Sequence, residues 1–148
     1  MACLICERIQ LIREGRNPYF AAELQTGYVV LGDYQHFRGY TLFLCKEHCS
    51  ELFQLPGPFR NKHLEEMVLV SQAVYNAFHP EKLNYEVLGN GDSHIHWHLF
   101  PRNAGDTKKR GPVWLLPPEV MFSESKKPSA DELMRMVALL KSHIDQLK

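Results

Sequence analysis

The chain has 148 residues, 45% of them hydrophobic and 23% charged, which is an ordinary globular balance and excludes a disordered, collagen-like or coiled-coil protein. Seventeen Lys and Arg offset seventeen Asp and Glu, so the formal charge is zero and the chain lacks the cation surplus that non-specific binding to polymeric nucleic acid requires. An anionic ligand must therefore be met by a local site.

The opening Met1-Ala2-Cys3-Leu4-Ile5-Cys6 has neither a basic leader nor a long apolar run, and no stretch approaches the ~18 apolar residues of a membrane span, so a cytoplasmic protein with no membrane partner is expected. Cys3, Cys6, Cys45 and Cys49 accordingly read as free thiols or metal ligands before disulfides. Residues 19–33 carry β-favouring residues around Gly27 and end in the turn pair Gly32-Asp33, and 39–45 are a nearly unbroken apolar run; both predict strands of an antiparallel meander. Lys46-Glu47-His48 is expected to start a short helical turn that Pro56-Gly57-Pro58 stops. Leu64, Met67, Val68, Val74 and Phe78 then predict an apolar stripe on a helix from about 59 to 79, ended by Pro80. Residues 83–88 and 94–101 predict strands on either side of a Gly89-Asn90-Gly91-Asp92 loop. Trp114-Leu115-Leu116-Pro117-Pro118 reads as extended, with Trp114 as an anchor. A last helix begins at Ser129, with Glu132 completing a capping box and Leu133, Met136, Val137, Leu140, Ile144 and Leu147 as its stripe. Consecutive strands followed by helices make the fold class α+β with an antiparallel sheet.

Chemistry concentrates in His94-Ile95-His96-Trp97-His98-Leu99-Phe100-Pro101-Arg102. On a strand, alternate side chains share a face, so His94, His96 and His98 are expected to line up at ~6.6–7 Å intervals, backed by Ile95, Trp97 and Leu99. From the residues alone three readings stay open. The trio is a polar solvent face; or it binds a metal, two imidazoles at i and i+2 sharing one ion with Asp92 as the nearby carboxylate; or it attacks phosphorus, one imidazole holding a phosphoryl group while its neighbours donate to phosphate oxygens and the leaving group. Lys108-Lys109-Arg110 reads as a solvated charge run.

His-x-His-x-His followed by two apolar residues resembles the signature of the histidine triad (HIT) family of nucleotide hydrolases and transferases. The likeness extends over about 3–105, taking in Cys3-Leu4-Ile5-Cys6, Gly39-Tyr40-Thr41-Leu42-Phe43-Leu44-Cys45-Lys46-Glu47-His48, Leu83-Asn84, Gly89-Asn90 and Pro101-Arg102, with 106–148 outside it. Leu88 to Arg102 is similar to bacterial members that hydrolyse diadenosine polyphosphates. The resemblance implies a single domain with a five-stranded antiparallel sheet and two main helices, paired into a homodimer with a ten-stranded sheet; outside the resemblance, 106–148 reads as an arm and a helix expected to cap the partner's site. It implies a nucleotide substrate cleaved at a phosphoanhydride or phosphoramidate through a nucleotidyl intermediate on His96, with no cofactor in catalysis. In that scheme His98 contacts the phosphate and helps the leaving group depart, and His94 orients His96. Asn84 and Asn90 contact the α-phosphate and its leaving side, and Asp33 pairs with ribose hydroxyls unless it is merely a turn residue. Arg102 joins the nucleotide contacts or faces a carboxylate or the partner subunit. The base pocket is expected among Leu4, Phe20, Leu31 and Leu42. Some members build a structural zinc site from residues matching Cys3, Cys6, His48 and His94; packed terminal thiols are the other reading of the cysteines. The chain departs from the family's usual pattern at Gly89-Asn90, where Gly-Gln is common, and at Gly39-Tyr40, where Gly-His is common. A zinc-dependent hydrolase and a nucleotide-binding module with little turnover are the alternatives.

Overall fold

The computed structural model describes residues 2–148. Its core is an antiparallel sheet of five strands: β1 (Phe20–Glu23), β2 (Gly27–Leu31), β3 (Thr41–Cys45), β4 (Lys82–Glu86) and β5 (His96–Arg102), ordered β1-β2-β3-β5-β4. Four helices surround it: α1 (Leu4–Arg13), α2 (Gly57–Phe78), the single turn α3 (Pro118–Met121) and α4 (Ala130–Leu147). The α+β class and the five-stranded antiparallel sheet agree with the sequence. None of the helices among the described residues is long and apolar enough to cross a membrane.

Alternation along the strands divides the sheet into two faces. Val29, Leu31, Phe43, Trp97 and Leu99 point to one side and pack with Val70, Ala73 and Val74 of α2 and Leu133, Met136, Leu140 and Ile144 of α4. Tyr28, Val30 and Leu44 point to the other side, under Ile5 and Ile9 of α1. The cross-strand partners Leu44↔His96 and Leu42↔His98 put those two histidines on the α1 side. β5 is thus anchored by an apolar row below and free to present polar groups above.

Several expectations change. Residues 4–13 form a helix although their sequence suggested only a cysteine pair; Cys3 caps it, its Sγ accepting from the Cys6 N–H. The expected helical turn at Lys46-Glu47-His48 is absent. Lys46 N–H donates to Thr26 O instead, extending the β2–β3 pairing, and a short helical turn comes later, at Leu52–Gln54. Pro56-Gly57-Pro58 opens α2 rather than stopping a helix. A proline in the first turn loses nothing, because its missing N–H would have had no partner there.

The predicted α2 stripe is partly displaced: Met67, Val74 and Phe78 meet the core as expected, the other two do not. Its buried face is His63, Glu66, Val70, Ser71, Ala73, Val74 and Ala77, whereas Leu64 and Val68 are exposed. Small residues let α2 approach the sheet and α4 closely, and a polar network fills the gap. Trp97 Nε1–H donates to His63 Nε2 (3.1 Å), His63 Nδ1 pairs with Thr26 Oγ1 (2.9 Å), and Thr26 Oγ1–H donates to Glu66 Oε1 (2.5 Å). Hydrophobicity alone misses a face built this way.

At the C-terminus, Ser129 caps α4 by accepting from Glu132 N–H (3.2 Å), and four residues of the expected stripe are buried. The helix packs on α2 and β1 of its own chain. Trp114 is 71% exposed and belongs to no core cluster of the described residues; Val113 and Leu116, packed with Phe37 and Phe100, secure that segment.

Candidate functional site

The three histidines do not line up. β5 begins at His96, and His94 lies before it, after the loop that contains Gly89 at φ 73°. Backbone pairing explains the break: Ile95 accepts from Cys45 N–H and donates to Cys49 O, which holds the chain beside β3 just short of the regular ladder. Only His96 and His98 project together, with ring centroids 4.8 Å apart.

The ring of His94 turns instead to the N-terminus. It is 1% exposed, and its Nε2–H donates to Cys45 O at 2.6 Å. That bond fixes the proton on Nε2 and leaves the Nδ1 lone pair aimed at Cys3 Sγ (3.6 Å) and Cys6 Sγ (3.4 Å). His48 Nδ1 lies 3.2 Å from Cys6 Sγ. One donor atom each from Cys3, Cys6, His48 and His94 falls within a 4.8 Å group. Tetrahedral bonds of ~2.0–2.3 Å to two nitrogens and two sulfurs put neighbouring donors ~3.3–3.8 Å apart, so the residues fit a closed metal site. Burial lowers the His94 pKa, which keeps the ring neutral and fit to ligate.

Although its ring is elsewhere, His94 does orient His96, through the main chain. His96 Nδ1–H donates to His94 O at 2.7 Å. A carbonyl can only accept, so the proton sits on Nδ1 and Nε2 carries a free lone pair. Nε2 has no partner among the described residues and is not sealed from solvent. A cavity of about 170 Å³ opens beside His96, walled by Glu51, Leu52 and Phe53 on one side and Val87, Leu88 and Ser93 on the other. His98 is half-buried beside His96. Burial, and secondarily the neighbouring His96, push its pKa down to about 4, so it is neutral at physiological pH. Its Nδ1 meets Tyr40 Oη at 2.6 Å.

The remaining sequence candidates are scattered. Asp33 is engaged by Arg8 of α1, whose Nη1 and Nη2 donate to the two carboxylate oxygens at 2.8 and 2.9 Å. Both oxygens expected to meet ribose hydroxyls therefore already hold a guanidinium. Asn84 and Arg102 are bonded to each other (2.8 Å). Arg102 also forks onto Asp106 (2.8 and 2.9 Å) and donates to Gly111 O, so it faces a carboxylate and fastens the loop after β5. Both lie toward the far end of β5 from His96, lining a hollow of about 710 Å³ that none of the three histidines lines. Asn90 is exposed in the loop that approaches the smaller cavity. Among the expected base-pocket residues, Leu31 lies on the opposite face of the sheet and Leu4 is exposed on a helix, while Phe20 and Leu42 pack near α1. Sequence reasoning passed over Arg8, for which a lone arginine on an unrecognised helix gave no signal, and His63. Tyr40 it noted only as a departure.

Comparison with known proteins places this geometry. Comparison with curated protein sequences returns no significant match. Among solved structures the chain is similar to a histidine triad protein from Marinobacter aquaeolei (23% identity, TM-score 0.74, covering 87% of this chain and 90% of that one). Another histidine triad protein, from Bradyrhizobium japonicum, gives 22% identity and a TM-score of 0.73 over 84% of this chain and 89% of that one. A Zn-bound histidine triad family protein from Mycobacterium smegmatis gives 22% identity and a TM-score of 0.65 over 99% and 96%. These likenesses speak to the fold. The model of the HIT domain matches residues 27–105, more than half the chain and the whole of β2 to β5 with its histidines, and the chain belongs to that family.

Proposed function

We propose that this protein is a nucleotide hydrolase or transferase that cleaves a nucleoside phosphoanhydride or phosphoramidate, of the diadenosine polyphosphate kind, through a nucleotidyl intermediate on His96. The observation that carries this reading is the hydrogen bond from His96 Nδ1–H to the His94 carbonyl, which leaves Nε2 unprotonated beside a cavity. The Nε2 lone pair forms a bond to the α-phosphorus, and the bond from phosphorus to the leaving group breaks with its electrons going to the leaving atom, which takes a proton from solvent where it is a phosphoramidate nitrogen. The phosphorylated ring is then a cation, and the carbonyl dipole at Nδ1–H stabilises it. Water next forms a P–O bond and gives up a proton to solvent, the P–N bond breaks, and its pair returns to Nε2. A nucleoside monophosphate and the leaving group are the products.

His98 stays neutral at physiological pH and contacts phosphate oxygens beside His96. Asn90 is the side chain in the 87–93 loop that reaches toward the leaving side, and Asp33 meets the ribose only by sharing its oxygens with Arg8. Arg102 and Asn84 act through the loop they fasten, not on the α-phosphate.

Cys3, Cys6, His48 and His94 hold a structural zinc ion in this reading, supported by the donor spacing and by the Nε2–H bond that readies His94 Nδ1. When bound, zinc supplies a cross-link between the N-terminus, the segment after β3 and the residue preceding Ile95; it takes no part in bond cleavage. Two copies pair through the free edge of β4 and the exposed Leu64, Val68 and Tyr75 of α2, which gives the ten-stranded sheet.

Diadenosine polyphosphates and adenosine phosphoramidates, assayed with and without EDTA, test the proposal. Turnover that survives chelation and disappears in His96→Ala is expected. Turnover abolished by EDTA would assign the reaction to a metal, and a protein that binds nucleotide but turns over neither substrate would be a binding module.

A further inference from the structure

We propose that Tyr40 is a positioning residue that locks His98 in the tautomer carrying its proton on Nε2, so that His98 presents a fixed N–H donor to the anion held beside His96. The role of that anion rests on the reaction proposed above; the tautomer does not.

Tyr40 Oη lies 2.6 Å from His98 Nδ1, and that nitrogen is its only hydrogen-bond partner among the described residues. A neutral imidazole offers one lone pair and one N–H. If Tyr40 donates, the phenol proton fills the Nδ1 lone pair and the ring proton must be on Nε2. In the reverse arrangement Nδ1–H would donate to Oη, and both the phenol proton of a half-buried side chain and the Nε2 lone pair would have no partner among the described residues. The first arrangement pairs the phenol proton and the Nδ1 lone pair, leaves only the Nε2–H open, and is the only one that turns an N–H toward the open side of β5. His98 Nε2 has no partner among the described residues and is not sealed from solvent, so it is available to a ligand.

The tyrosine is held rigidly in place. Its ring stacks on Phe100 at 4.2 Å and 12°, and Phe100 in turn lies parallel to His98 (5.9 Å, 4°). On its other side is Gly32, where a Cβ would come within 2.2 Å of the Tyr40 ring, so only glycine leaves room for it. Gly32 N–H also donates to Tyr40 O at 2.9 Å. A phenol clamped between the backbone just after β2 and an aromatic ring has little freedom to swing away, which lets one proton specify the state of the neighbouring imidazole.

The two histidines are therefore set as complementary tautomers by different devices. A backbone carbonyl forces the proton onto Nδ1 of His96, and a phenol forces it onto Nε2 of His98. One ring offers a lone pair and the other a donor, side by side.

Two-bond ¹H–¹⁵N correlation spectra of the imidazoles at neutral pH test this directly, the His98 signals being those lost in His98→Asn. The expected pattern is a protonated Nε2 and an unprotonated Nδ1 on His98 in the wild type, shifting to a mixed pattern in Tyr40→Phe, which keeps the stacked ring. On a cleaved substrate, kcat of Tyr40→Phe falls by about tenfold with KM little changed, the size expected for one lost hydrogen bond felt in the transition state. A protonated Nδ1 in the wild type, or a pattern identical in Tyr40→Phe, overturns the inference. The spectra need no substrate, so an absence of any His96-dependent turnover would count against the proposed reaction and leave this result standing.

Discussion

His94 divides its work between ring and backbone, and that division makes a residue-level prediction. Its ring belongs to the cysteine cluster, while its carbonyl sets the tautomer of His96. In His94→Ala the carbonyl remains, so activity is expected to fall far less than in His96→Ala, which loses it entirely. Bound zinc measured on the same preparations should drop to background in His94→Ala and stay at wild-type level in His96→Ala. Equal losses of activity would mean that the ring, not the carbonyl, governs His96. A second prediction concerns His63, which burial holds at a pKa of about 4 in the folded state against ~6.5 unfolded. Above pH 6.5 both states are neutral and the shift costs nothing. As pH falls toward 4 the unfolded chain takes up a proton that the folded one refuses, so stability declines by about 3 kcal/mol across that window. His63→Gln keeps an acceptor for Trp97 and a donor for Thr26 without titrating, and thermal unfolding between pH 7 and 4 should show a shallower decline for it. Sequence displayed the chemistry of these residues but not their partners. The alternation rule placed His96 and His98 correctly on one face; His94 also meets the α1 side, at Cys3 and Cys6, but its ring turns away from the other two because the regular pairing of β5 starts two residues later. Nothing in the spacing of Asp33 and Arg8, or of Thr26, His63 and Glu66, announces that they meet, since those contacts exist only once the helices have docked.

Elements with a strong periodic signal and a single burial mode were the most legible. α4 is the clearest case: a capping serine, an acidic first turn and a stripe at three- and four-residue spacing gave both its start and its buried face. Leu140 is fully buried in that stripe, and Leu140→Ala should cost about 2–5 kcal/mol, read by urea denaturation. A loss under 1 kcal/mol would mean that α4 is dispensable to the core. α2 was legible in extent but only partly in orientation: Met67, Val74 and Phe78 meet the core as expected, but the buried face is completed by alanines and a histidine–glutamate pair while Leu64 and Val68 stay outside. α1 was invisible: a cysteine caps it, another sits in its first turn, and only two of its residues, Ile5 and Ile9, are buried.

On the scale of the whole molecule, the sheet ends at β1 on one side and β4 on the other, with α2 and α4 stacked over a single face. Val68 is 56% exposed on α2 and has no part in the core of its own chain. Val68→Asp is therefore expected to leave the fold intact while turning a dimer into a monomer in sedimentation velocity; a monomeric wild type would remove the ten-stranded arrangement. The cysteine–histidine cluster joins residues 3 and 6 to 48 and 94, so chelation should lower the melting temperature as well as the metal content. The neutral composition is consistent with the proposed site, in which two imidazoles and their local dipoles, rather than a field, meet the ligand's charge.

The unequal setting of the two tryptophans has a practical side. Trp97 is 7% exposed with its indole N–H bonded to His63, whereas Trp114 is 71% exposed. Trp114 emits from water in the folded and unfolded states alike, a constant background. All the colour change on unfolding comes from Trp97, at the junction of β5 and α2. The molecule thus carries an intrinsic optical gauge of the packing beneath its histidines, read without a dye, a label or a substrate.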